Sequence, residues 1–161
     1  MNKSKVNSVF QFVRLNELDR VESEITTFNV NEFINDFGEN LLHEAIAFKA
    51  IDILKFLLNC KIDINHSDKN GKTALHFSAA HNDFESTKLL LDNELIEINK
   101  TDKFGNNPLW VAVFNARGYY NIVKLLKDFG ADPNSKNNNN KSPLDFAKQI
   151  GDDELIEILN S

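Results

Sequence analysis

Gly71-Lys72-Thr73 has the ending of a phosphate-cradling loop, in which glycine N–H groups and a lysine hold a nucleotide. The complete motif needs another Gly five positions before Gly71, and His66 stands there. The four histidines and Cys60 are the other candidates for metal binding or nucleophilic chemistry. No two histidines have the i, i+4 spacing of a helical zinc pair, and Cys60 has no second cysteine to join it. Asp63, Asp68, Asp102 and Asp132 fall at recurring positions, and nothing pairs them as acid and base. No catalytic, cofactor-binding or metal-ligating residue is assigned, and the chain is not expected to be an enzyme. A lone cysteine forms no internal disulfide, and among Phe56, Leu57, Leu58 and Ile62 it is expected to be a packed, inert thiol.

Composition narrows the remaining classes. With 161 residues, 42% of them hydrophobic, the chain can bury the core of a single domain, expected to span residues 1–161. No apolar run approaches the roughly 18 residues of a membrane helix. The basic start, Met1 to Lys5, is followed by Asn7, Ser8, Gln11 and Arg14, which interrupt any secretory signal. A cytoplasmic monomer, not bound to membrane, is therefore expected. The net charge of −6 opposes nucleic acid and suits a neutral or basic protein partner.

Self-similarity is the strongest signal. Asn35-Asp36-Phe37-Gly38-Glu39-Asn40-Leu41-Leu42-His43-Glu44-Ala45 aligns with Asp68 to Ser78, Asp102 to Ala112 and Asn137 to Ala147, with starts 33, 34 and 35 residues apart. Each unit continues in a second apolar stretch, such as Ile53-Leu54-Lys55-Phe56-Leu57-Leu58, and Gly130-Ala131-Asp132-Pro133-Asn134 ends the third. Gly38, Gly71 and Gly105 fall where the chain must turn. Thr73 and Ser142 stand as N-caps, and Pro108 and Pro143 at first helical positions. Before the repeats, Val6, Val9, Phe10 and Val13 form one helical stripe and Leu18, Val21, Ile25 and Phe28 another. They predict a capping helix pair joined through Arg14 to Leu18. The run Asn137 to Asn140 replaces the fourth turn and is expected to be a loose loop.

The pattern resembles the ankyrin consensus, Asp-x-x-Gly-x-Thr-Pro-Leu-His-x-Ala-Ala, from residue 35 to the end. The resemblance implies an all-α solenoid of about five helix pairs with β-turn loops. These are a cap (1–34), three repeats (35–67, 68–101 and 102–136) and a C-terminal capping repeat (137–161). It also implies that His43 and His76 bond neighbouring backbone, and that protein partners dock on a concave face of loop tips and first helices. Phe37, Phe48, His81, Phe104 and Phe114 map to that face. Trp110 replaces the consensus His, and the two-residue extension before Tyr120 is expected to add Arg117 and Tyr119 to the rim. The segment Pro108 to Gly118, and an Asn-, Lys- and Ile-rich composition, resemble small bacterial ankyrin proteins that confer immunity to toxins. That likeness implies inhibition of a cognate toxin, with an acidic surface suited to a basic toxin domain. The alternatives are a host-directed effector and a regulatory subunit of an enzyme complex.

Overall fold

The computed structural model describes residues 2–161. Ten α-helices, and no strand among the described residues, follow one another in pairs: α1 (Lys3–Arg14) with α2 (Leu18–Glu24), α3 (Leu41–Ala47) with α4 (Ile51–Asn59), α5 (Ala74–Ala80) with α6 (Phe84–Leu91), α7 (Pro108–Asn115) with α8 (Asn121–Asp128), and α9 (Pro143–Ile150) with α10 (Asp153–Asn160). The odd-numbered helices pack on one another in sequence, and the even-numbered helices form a second layer behind them. This is the expected all-α solenoid. Its core runs continuously between the layers, from Val9 and Val13 through Leu42, Leu57, Leu75, Leu90, Leu109 and Leu126 to Leu155.

Short helices of seven or eight residues are marginal alone, so side-chain caps and packing define them. Asn107 Oδ1 accepts the Trp110 N–H at 2.8 Å, with Pro108 at the first helical position. Ser142 and Asp145 cap α9 reciprocally, at 2.9 and 3.1 Å. The bend between the helices of each pair passes through a residue with positive φ, at Asn16, Lys49, Asn82 and Gly151, and through two, Arg117 and Gly118, in the longer α7–α8 link. The cap therefore bends in the same way as the repeats.

Before each first helix of the repeats lies a tight turn built on its leading Asn or Asp. Asp68 Oδ1 accepts the N–H groups of Asn70 and Lys72 at 2.7 and 2.8 Å. Asp102 does the same for Phe104 and Asn106. Successive turns are laced together, because the N–H groups of Lys69, Lys103 and Asn138 donate to the carbonyls of Phe37, Asn70 and Phe104 at 2.8 to 3.0 Å. This close approach explains the glycines. A Cβ on Gly71 would lie 2.8 Å from the Lys103 nitrogen, in addition to the strain of φ +78°.

Two expectations are corrected. The Asn137 to Asn140 run is not loose: it folds into the same turn, with Asn137 Oδ1 accepting the N–H groups of Asn139 and Lys141. Asn140 stands where the other turns have Gly and reaches φ +56°, which Asn tolerates. The second is the stripe ending at Phe28. Helix α2 stops at Glu24, and Phe28 is 96% exposed. Ile25, Thr26 and Thr27 are poor helix formers, and Asn29 closes a turn by donating to the Glu24 carbonyl and accepting the Thr26 N–H. Thr73 stands as the N-cap of α5, as expected, in a capping box whose other half is its own N–H donating to His76 Nδ1 at 3.1 Å.

Candidate protein-binding face

The face is framed by two sets of polar links between repeats. On the turn side, His43 Nε2 lies 3.0 Å from the Lys72 carbonyl, and His76 Nε2 lies 3.0 Å from the Asn106 carbonyl. Each ring takes a backbone N–H of its own helix start on Nδ1, from Asn40 and Thr73 respectively. Burial lowers the pKa of both rings, against the opposing pull of those carbonyls, and keeps them neutral. On the second-helix side, Asn31, Asn65 and Asn99 accept the N–H groups of Asp63, Glu97 and Asp132 at 2.7, 2.9 and 2.9 Å. Both sets clamp one repeat to the next, so side chains on the open face hold a fixed spacing.

Trp110 occupies the third position of the histidine series and breaks it. Its indole N–H is buried and finds no acceptor. The ring instead stacks on Phe114, with centroids 5.2 Å apart and planes within 15°. Phe146, from the next repeat, lies 5.7 Å from Trp110 and 5.6 Å from Phe114. Such offset stacks contribute about 0.5–1.5 kcal/mol beyond burial. Phe114 remains 57% exposed, so the cluster presents an aromatic surface rather than a closed core.

The expected binding residues do not all meet. Trp110 and Phe114 come together, and Phe104 stands exposed on the turn that leads into α7, with the Lys103 ammonium 5.0 Å from its ring. Phe37 is exposed on the first turn, and Phe48 and His81 end α3 and α5, with Arg14 set over the Phe48 ring. Arg117 and Tyr119 are exposed at the far end of α7, separated from Phe104 by a helix about 12 Å long. They flank the α7–α8 bend, where the Tyr119 N–H closes a turn on the Ala116 carbonyl. Phe146 was missed, although it shares a register position with Phe77, whose ring meets His43 edge-on at 4.8 Å.

Titratable groups elsewhere brace the frame. Glu44 is buried on α3 and takes a hydrogen bond from Arg14; burial raises its pKa despite that cation. The Tyr120 hydroxyl donates to Asp152 at 2.5 Å, and that bond pushes its pKa up to about 12. Burial raises the Cys60 thiol, so it is poorly nucleophilic. Among the described residues no group of three or more His, Cys, Asp or Glu lies close enough to hold a metal ion, and no helix is long and apolar enough to cross a membrane. An open groove of about 410 Å³ between α8 and α10 is lined by Lys124, Lys127, Glu154 and Glu157.

Stacked helix pairs, laced turns and a recurring histidine define a repeat protein of the interaction-module class. A family profile described as ankyrin repeats, in three copies, matches residues 42–137, and the chain belongs to the ankyrin-repeat family. A putative ankyrin repeat protein of Rickettsia bellii is 31% identical over 126 residues, covering 78% of this chain and 68% of its own. The probable 26S proteasome regulatory subunit p28 of Saccharomyces cerevisiae is 30% identical over 126 residues, covering 76% of this chain and 54% of its own. The ANK repeat-containing protein nipk-1 of Caenorhabditis elegans is 33% identical over 108 residues, covering 61% of this chain. The chain spans 12% to 17% of the length of nipk-1 and two other long relatives.

Proposed function

We propose that the chain binds and inhibits a partner protein through the face formed by its turns and first helices. The observation that carries this reading is the Trp110–Phe114–Phe146 cluster, whose Phe114 ring is 57% exposed, together with the exposed Phe104 ring on the turn that leads into the same helix. Exposed aromatic surface of this kind marks interfaces, and aromatic side chains carry much of their energy. The finer reading is immunity: occupation of a toxin's working surface by a small repeat protein, supported by the likeness of the Pro108 to Gly118 segment. A second reading, regulatory subunit of a larger enzyme complex, is supported by the similarity to a proteasome regulatory subunit.

Co-purification from the source cell tests the binding mode, with a Phe104→Ala/Phe114→Ala double variant as control. Both rings are more than half exposed, so the variant should keep its circular dichroism while losing the partner. A partner retained equally by folded variant and parent would place binding elsewhere. Toxicity of the captured protein expressed alone supports immunity, whereas capture of a multi-subunit enzyme supports the regulatory reading.

A further inference from the structure

The net charge of −6 hides a division between the two sides of the solenoid. The second helices and their following links (51–65, 84–99, 119–133 and 151–161) carry twelve Asp and Glu against five Lys. The turns and first helices (34–50, 66–83, 100–118 and 134–150) carry seven Asp and Glu against nine Lys and Arg. The side that faces a partner is therefore cationic, and the acidity of the whole chain belongs to the other side.

The acids on the cationic side are also engaged internally. Asp68 and Asp102 are held by the N–H groups of their own turns. Asp83 caps α6, and Asp145 caps α9 while pairing with Lys136, which holds its carboxyl well below the usual range. Glu44 is buried against Arg14, and Asp36 pairs with Lys3. In contrast, Lys69, Lys72, Lys103 and Lys141 stand in no ion pair among the described residues. Lys72 and Lys141 occupy the same register position two repeats apart, Lys141 on the turn that leads into α9 and Phe146, and Lys103 sits on the turn beside Phe104.

Resting on the binding reading above, we propose that the end of the face built by the third and fourth repeats recognises an acidic protein segment carrying an aromatic or branched apolar anchor. The anchor packs on Trp110 and Phe114, and its flanking carboxylates meet Lys103 and Lys141. A basic segment, which the net charge alone would favour, meets like charge there. Complementary charge steers encounter and sets specificity, while the desolvated anchor supplies affinity.

The test is selection of linear peptides from a randomised library displayed on phage, panned against the intact chain. Trp110 is the single tryptophan, so its emission reports on the cluster directly. Enriched peptides are expected to be net negative and to contain Phe, Trp, Tyr or Leu. Synthetic forms without tryptophan should shift Trp110 emission. They should bind at least about tenfold more weakly to Lys103→Glu/Lys141→Glu, and more weakly as salt rises from about 50 to about 500 mM. Both lysines are exposed, so this variant should melt like the parent. Neutral or basic peptides that depend on Phe114 but ignore the charge reversal would overturn the acidic partner and leave the binding face standing. Peptides indifferent to Phe114→Ala, or a failure to enrich any, would overturn both.

Discussion

His43 and His76 each join two repeats as neutral rings, so protonation acts against the fold. Burial lowers the pKa of both below the ordinary 6.5. The unfolded chain therefore takes up protons near pH 6.5 while the folded chain does not, and stability falls as pH drops from there toward the depressed folded values. Glu44 acts in the opposite direction, from its ordinary 4.5 upward, because its folded pKa is raised. Comparison with a variant lacking the two rings, between pH 7.5 and about 5.5, separates the histidine contribution from that of Glu44. Thermal unfolding should show a lower Tm at the acid end, and a His43→Gln/His76→Gln variant should be less stable overall with a flatter profile. An equal pH dependence in parent and variant would assign the effect to other groups.

At the level of elements, two contacts decide how the helices hold. Arg14, the last residue of α1, reaches Glu44 on α3, whose side chain is 6% exposed. Arg14→Ala leaves a buried carboxylate without its donor and should cost about 1–3 kcal/mol in denaturant unfolding. Adding Glu44→Ala should return part of that loss, since no charge then remains to be desolvated. Helix α9 contributes Phe146 to the cluster on α7. Phe146→Ala removes a half-buried ring and should cost about 1–2 kcal/mol, below the 3–5 of a fully buried Phe, with a red shift of Trp110 emission. Phe114→Ala should cost less stability than Phe146→Ala and more binding, because its ring is the more exposed. The helices and turns were legible in the sequence because their signals repeat: Gly, Ala and Leu recur in register. Phe146 was not, because its position reads Glu44, Phe77, Val111 and Phe146 along the chain, and no pattern announces that the last meets Trp110. The end of α2 was hidden by an apolar spacing that continues to Phe28 while Ile25 to Thr27 leave the helix. The polar links made by Asn31 and Asn99 depend on pairings across 32 and 33 residues, which only the stacked repeats bring together.

Across the whole molecule, each helix pair packs chiefly on its neighbours in sequence, as in any solenoid, so stability divides into repeats and the interfaces between them. The asparagine links offer a graded way to weaken one interface at a time. Asn31→Ala removes the acceptor of the Asp63 N–H at the capping end, and Asn99→Ala removes that of the Asp132 N–H beside the aromatic cluster. Each should lower stability by about 1 kcal/mol, the net worth of one such bond, but the losses should appear in different places. Hydrogen exchange in Asn31→Ala should show α1 and α2 opening more often while α7 and α9 keep their protection. In Asn99→Ala the third and fourth repeats should open more often, and because these carry Trp110, Phe114 and Phe146, partner affinity should fall with them. Uniform loss of protection along the chain in either variant would instead make the solenoid a single cooperative unit. The binding end would then feel every interface equally, and a weakened cap would reduce affinity as much as a weakened link beside the cluster.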